Sequence, residues 1–156
     1  MKTSYLLPNK YKTIGWILFI FGILSGCYIY LADYESSLLS INVLAIFNEN
    51  YMHDTRSFFR IIENNIVDEL TSISIILGGL IIGFSKEKVE DEFIYKLRHD
   101  SLVWAILINY VILLFAVVFV YNMTFFDVLV FNMFTPLIIF IIRFNFLKLK
   151  SQSHEE

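Results

Sequence analysis

Three consecutive stretches decide the fold: SKEKVEDEFIYKLRHD at residues 85–100, LVWAILINYVILLFAVVFVY at 102–121 and FFDVLVFNMFTPLIIFIIRF at 125–144. A helix of about 20 apolar residues crosses the ~30 Å hydrocarbon core of a bilayer. The second and third stretches have that length, and only residues 122–124 separate them. They therefore predict a transmembrane helical hairpin, whose direction the charged first stretch sets.

The composition is that of a membrane protein. Hydrophobic residues make up 57% of the 156-residue chain and charged residues 17%, against roughly 45–50% and 25% in soluble domains. The apolar runs are continuous rather than alternating, which argues against a transmembrane β-barrel. The expected fold is all-α, with one transmembrane domain over residues 1–156. Its four-helix bundle has spans at Ile14–Leu31, Ile66–Phe84, Leu102–Tyr121 and Phe125–Ile142.

The basic residues predict that both termini lie in the cytoplasm. Lys and Arg favour cytoplasmic loops. With the N terminus inside, the outer side holds only Arg56 and Arg60. The cytoplasmic side then holds ten basic residues, which are Lys2, Lys10, Lys12, Lys86, Lys88, Lys96, Arg98, Arg143, Lys148 and Lys150.

The single cysteine, Cys27, lies in the first span and excludes an intrachain disulfide or a two-cysteine redox centre. Residues 24–27, Leu-Ser-Gly-Cys, resemble a lipobox, in which the cysteine is lipidated and becomes the new N terminus. The apolar run continues through residues 28–31, which favours an uncleaved helix. Two alternatives stay open: an uncleaved first span, and lipoprotein processing at Cys27.

The outer loop, residues 32–65, is the only sizeable polar region. Its segment LLSINVLAIF is too short to span, and we expect it along the interface or over the outer end of the bundle. The second half has helical spacing at residues 58, 59, 61, 62 and 66, with Asp54 or Thr55 as a candidate N-cap. This pattern predicts a partly helical outer loop that leads into the second span.

The charged segment predicts a cytoplasmic helix over residues 85–101. Glu92 and Lys96 have the stabilising i,i+4 order, and the helix either lies on the membrane or continues into the third span. It is either a solvated connector or a docking face for a cytoplasmic partner, with Lys88, Lys96 and Arg98 as the docking residues.

Small and polar residues within the spans are candidates for helix packing. Gly79 and Gly83 allow close approach of another helix, from this chain or from a second subunit. Asn109 and Asn132 lie at similar depth and suit an interhelical hydrogen bond, or alternatively a ligand contact. Pro136 predicts a kink in the fourth span, because proline removes a backbone donor.

Acidic residues gather at the predicted outer boundary. Asp68, Glu69 and Asp127 are placed to converge at the outer mouth of the bundle, where carboxylates suit a cation. The alternative is that they mark the water boundary and favour helix N-termini.

The C-terminal half resembles small uncharacterised four-span bacterial inner-membrane proteins, some of them encoded beside helix-turn-helix regulators. The resemblance covers mainly residues 86–144 and rests on KVEDEFIYKLRHDSLVWA, VYNMTFFDVLVFNMFTPL and FIIRFNF. It implies a multi-pass protein of the bacterial cytoplasmic membrane and hints at a regulatory partner.

No motif in the chain specifies a reaction, so no catalytic residue and no cofactor are expected. All three histidines lie outside the spans, and the net charge of −3 gives no support for nucleic-acid binding. We expect a non-enzymatic regulatory, sensing or accessory subunit that acts in the lipid bilayer through a protein partner or as a homo-oligomer. The alternative is a small oligomeric transporter or channel subunit.

Overall fold

The computed structural model describes residues 6–31, 39–50 and 55–152. This part of the chain is mostly helical, with one two-stranded antiparallel sheet. The elements in chain order are α1 (Lys12–Leu31), β1 (Ser40–Asn50), β2 (Thr55–Asn65), α2 (Val67–Gly83), α3 (Glu92–Phe119), α4 (Met123–Asn132) and α5 (Thr135–Gln152). A single 3-10 turn, Asn9–Tyr11, precedes α1.

Two helices are long and apolar enough to cross a membrane: α3, and α1 together with its preceding 3-10 turn. The pair α4 and α5 makes a third candidate if it is counted as one span bent by 44°. The remaining helix, α2, has 17 residues, which is about 26 Å at 1.5 Å per residue. It is therefore somewhat shorter than the ~30 Å hydrocarbon core of a bilayer.

The bend between α4 and α5 lies where Pro136 predicts a kink. Proline has no amide hydrogen, so the carbonyl of Asn132 loses its usual i+4 donor. Around the break, the Met133 and Phe134 amides donate to the carbonyls three residues earlier, at 3.2 and 3.0 Å. The Thr135 hydroxyl donates to the Phe131 carbonyl at 2.9 Å. These bonds use the carbonyls of Val130 and Phe131 as acceptors at the bend.

The prediction of a helix in the outer loop is wrong. Strands β1 and β2 form an antiparallel hairpin whose register runs from Ser40↔Asn65 to Asn50↔Thr55, and the rings of Phe47 and Phe58 meet edge to face at 5.5 Å. β-branched and aromatic residues favour strands once a partner strand exists. The segment LLSINVLAIF supplies that partner strand. The helical spacing of apolar residues in the second half of the loop therefore does not produce a helix. The candidate N-cap Asp54 lies outside the described residues, and Thr55 begins β2.

The predicted cytoplasmic helix begins later than expected. Residues 85–91 are not helical, and Leu7 forms a parallel bridge with Ser85. Asp91 caps α3, because its carboxylate accepts a hydrogen bond from the Ile94 amide at 2.8 Å. From Glu92 the helix runs without a break to Phe119, so it continues into the third predicted span.

Glycines set the spacing between the first two helices. A Cβ on Gly78 would lie 2.5 Å from the Phe19 backbone nitrogen, and one on Gly22 would lie 2.8 Å from the Ile75 nitrogen. A side chain at either position would therefore separate α1 from α2.

The predicted packing glycines, Gly79 and Gly83, face α5 within the same chain. Added Cβ atoms there would meet Leu137 and Phe140 side chains at 2.4 Å. Helix α5 thus lies between α2 and α3, with α1 on the far side of α2. The buried core joins these helices and comprises Phe19, Ile75, Ile82, Ile94, Ala105, Phe134, Phe140, Ile141 and Phe144.

Candidate functional site

The bundle has two ends of different character. The ion-pair end is formed by residues 6–16, 84–98 and 143–151, where α1 begins and α5 finishes. The hairpin end is opposite, where α1 finishes, the β1–β2 hairpin joins α2, and α3 passes into α4. Candidate functional residues occur at both ends.

Glu87 is the centre of the ion-pair end. One carboxylate oxygen pairs with the Lys12 ammonium, and the other accepts from Lys148 Nζ at 3.1 Å. The backbone beside it is held by hydrogen bonds from Leu7 N to Phe84 O and from Lys86 N to Leu7 O, both 2.9 Å. Glu87 lies in the connector, residues 84–91, which joins α2 to α3. Its carboxylate therefore links this connector to both α1 and α5.

Arg98 forms a second ion pair and is not a docking residue. Its guanidinium donates to the two Glu90 carboxylate oxygens at 2.6 and 3.1 Å and to the Ser85 carbonyl at 3.3 Å. It also lies 5.2 Å from the centroid of the Phe144 ring. With 4% of its surface exposed, Arg98 is structural, which corrects its assignment to an exposed face. Lys88 and Lys96 are exposed, as a docking face requires.

Opposing effects act on the pKa values of the two carboxylates at this end, Glu87 and Glu90. Burial alone would raise the pKa of Glu87, but its bonds to Lys12 and Lys148 outweigh burial, and the pKa lies below its ordinary value. Burial would also raise the pKa of Glu90, and the Arg98 guanidinium and the Glu87 amide lower it overall. Both side chains are therefore carboxylates at neutral pH.

A cavity of about 700 Å³ opens beside these pairs. It combines charged groups with apolar side chains, and its lining comprises Asn9, Lys12, Thr13, Trp16, Glu87, Lys88, Val89, Asp91, Phe93, Ile94, Lys148 and Ser151. Two of the apolar residues project into solvent, since Val89 is 72% and Phe93 54% exposed. The ion-pair end thus presents apolar side chains on a charged framework.

The structure brings Asn109 and Asn132 together between α3 and the end of α4. Asn132 Nδ2 donates to Asn109 Oδ1 at 3.0 Å, and the reciprocal contact is 3.5 Å. Asn109 is buried. Each side-chain amide is the hydrogen-bond partner of the other. Such a bond stabilises two polar groups that lie at the same depth among apolar helices.

The hairpin end contains a second cavity, of about 640 Å³. Asp68 and Asp127 line it together with Cys27, and most other lining residues are apolar. Glu69 does not line this cavity, and its carboxylate accepts from Asn64 Nδ2 at 2.8 Å. Over residues 6–31, 39–50 and 55–152, no three His, Cys, Asp or Glu side chains group so as to hold a metal ion. Of the two alternatives for these carboxylates, the cation site has no set of three ligands in that part of the chain.

Sequence reasoning missed Glu87 and Glu90 as site residues. Their charges lie in an alternating Lys and Glu segment, which is typical of a helix with local i,i+4 pairs. Their partners instead include residues 75 and 61 positions away in sequence, Lys12 and Lys148. The nearest signal in the sequence is the presence of Lys12 before the first predicted span and Lys148 after the last one. Such flanking basic residues predict orientation, but they do not predict which carboxylate they contact.

No known family model matches the chain, and neither the curated proteins nor the solved structures give a significant match.

Proposed function

We propose that the chain crosses the bacterial cytoplasmic membrane four times, with the ion-pair end in the cytoplasm. Support comes from packing: α2 lies along α1 through Gly15, Gly22 and Gly78, so a bilayer that surrounds α1 also surrounds α2. The bent pair α4 and α5 accompanies α3 in the same way. The basic residues of the ion-pair end agree with this orientation.

Single-cysteine labelling tests this threading. In a background without Cys27, an impermeant thiol reagent added to intact cells should label a cysteine placed at Asn48 and leave one at Glu92 unlabelled. Labelling at Glu92 from outside would reverse the orientation. Intact mass would detect a chain that begins at a lipidated Cys27.

The same proposal assigns a non-enzymatic role: a regulatory or accessory subunit that holds a soluble partner at its cytoplasmic end. The observation that carries it is the exposure of Val89 and Phe93 beside the exposed Lys88 and Lys96. Apolar anchors surrounded by charged groups are typical of protein interfaces. The ion pairs beneath hold this surface in one shape, which limits the ordering cost of binding.

Site-specific photo-crosslinking in cells tests the docking surface. A photoreactive residue at Val89 or Phe93 should capture one discrete protein, because these side chains form the anchor. The matched control is Val111, which is 69% exposed on the same helix as Phe93 but lies in the apolar stretch. Capture of the same protein from Val111, or no capture from either anchor position, would contradict docking here. Replacing Phe93 with Ser should abolish capture from Val89.

A second candidate function is a small oligomeric transporter or channel subunit. The cavity at the hairpin end favours it, because Asp68 and Asp127 add carboxylates to an otherwise mostly apolar lining. Cation flux into proteoliposomes tests this role. Asp127→Asn should stop the flux, whereas Asp100→Asn, an exposed carboxylate on α3, should not change it. A flux that survives Asp127→Asn, or no flux from the unaltered protein, removes the transport role.

A further inference from the structure

The Glu87 cluster has more positive than negative charge. Two ammonium groups, from Lys12 and Lys148, share one carboxylate. All three side chains are largely withdrawn from water, with 12%, 19% and 9% of the Lys12, Lys148 and Glu87 side chains exposed. A partly buried charge without a counterion is unfavourable. Among the described residues, the cluster therefore sets two ammonium groups against one carboxylate.

The cavity beside the cluster shares this excess. Its lining includes three lysines and two carboxylates, because Lys88 and Asp91 join the cluster residues. The Asp91 carboxylate already accepts the hydrogen bond that caps α3, and the start of this 28-residue helix carries partial positive charge. The Ser151 hydroxyl and the Thr13 side chain add small polar groups. The cavity is suited to an anion.

The opposite part of the lining is apolar. Trp16 and Ile94 border the same space of about 700 Å³ as the lysines. A bare ion would leave this space largely unfilled. An amphiphile with an anionic group and an apolar portion uses both parts of the lining, and basic pockets between membrane helices are known to hold anionic lipid headgroups.

We propose that this cavity binds the phosphate group of an anionic molecule, with Lys12 and Lys148 as its ligands and Lys88 as a further cation. A phosphate placed between the two ammonium groups supplies the missing negative charge and accepts charge-assisted hydrogen bonds from both. Glu87 competes with it for the same donors. The site stands without a protein partner and without any assumption about transport.

The test uses the full chain, purified and reconstituted in nanodiscs of phosphatidylcholine. Binding of short-chain phosphatidylglycerol is measured by native mass spectrometry and by the shift in Tm, with short-chain phosphatidylcholine as the neutral comparison. Inorganic phosphate and a soluble glycerol phosphate form separate arms. Saturable binding of phosphatidylglycerol alone identifies a lipid headgroup site, and saturable binding of the soluble phosphates identifies a site for a soluble anion. No saturable binding in any arm overturns the proposal.

Two variants with opposite expected signs protect the test against simple misfolding. Lys148→Met should weaken binding about fivefold to tenfold, because one charged donor is lost. Glu87→Gln should strengthen it, because the competing carboxylate disappears while both lysines remain. It should also give the larger gain in Tm on adding the anion. A variant that only damages the fold weakens binding in both cases.

The matched control is Lys96→Met, which removes the same charge from an exposed position on α3 outside the cavity. Its affinity should equal that of the unaltered protein. If Lys96→Met and Lys148→Met weaken binding equally, the attraction is diffuse surface charge and the proposed site is wrong. If Glu87→Gln weakens binding, the carboxylate is not a competitor and the proposal also fails.

Discussion

The two ends of the bundle are held together in different ways. At the ion-pair end, residues from α1, the connector, α3 and α5 meet through Glu87, Glu90 and Arg98, and a backbone bridge closes the group. At the hairpin end, β1 and β2 chiefly contact each other. Leu44 and Ile61 of the hairpin are 64% and 69% exposed. Polar contacts between distant segments fix the ion-pair end, whereas the hairpin itself is formed by pairing between two neighbouring strands.

The largest expected effect comes from breaking the Arg98 pair. Arg98→Met removes both bonds to Glu90 and leaves that carboxylate partly buried without its counterion. We expect a loss of about 3 kcal/mol in the free energy of unfolding, measured by thermal or denaturant unfolding in detergent. Lys96→Met, an exposed charge two residues earlier, should change it little. Equal effects of the two variants would mean that the ion-pair end does not depend on Arg98.

The second largest loss of stability is expected from a substitution at Gly78, with Gly26 as the comparison. Gly78→Ala forces a methyl group against the Phe19 backbone nitrogen at 2.5 Å, and backbone moves less easily than a side chain. We expect a cost of about 2 kcal/mol. Gly26→Ala, towards the hairpin end, brings its methyl group no closer than 3.4 Å to Thr71 and should be tolerated. Unfolding midpoints of the two variants measure the difference, and a tolerated Gly78→Ala would contradict the close α1–α2 contact.

Acidification should weaken the ion-pair end. The folded pKa values of Glu87 and Glu90 lie below the ordinary value of 4.5. Above about pH 4.5 both carboxylates are ionised in the folded and in the unfolded chain, and their stabilising contribution is complete. This contribution is lost as the pH falls through the pKa values of the folded chain. Unfolding midpoints measured between pH 7 and pH 3 should fall, and Glu87→Gln should show a smaller fall. If the unfolding midpoint of Glu87→Gln falls by the same amount, Glu87 does not contribute to the pH dependence of stability.

The smallest effect concerns the amide pair between the two ends. Replacing Asn109 or Asn132 alone with Leu leaves the other amide without its partner in an apolar region, whereas replacing both removes the problem. The coupling should be about 0.6 kcal/mol, as is typical within membranes. A double-mutant cycle measures it, and the double variant should be more stable than either single one. Costs that simply add would show that the two amides are not coupled.

The sequence predicted local features well and long-range ones poorly. Continuous apolar runs predicted helices, Pro136 predicted the bend, and equal depth paired Asn109 with Asn132, because each pattern depends on nearby residues or simple geometry. The hairpin was missed because its apolar spacing fits a helix until its partner strand is recognised. Arg98 was assigned to a docking face because its acceptors, Glu90 and the Ser85 carbonyl, become neighbours only when the connector folds back.

The shared carboxylate of Glu87 has a consequence for the order in which the chain is made. Lys12 leaves the ribosome 75 residues before Glu87, and Lys148 follows 61 residues after it. Until Glu87 is made, Lys12 is a charge without this partner, which disfavours passage of the N terminus through a bilayer. Glu87 is made while the last helix is still unmade, so it is available to Lys12 before Lys148 exists. Lys148 lies near the end of α5, so the cluster is complete only after α1 to α4 have been made.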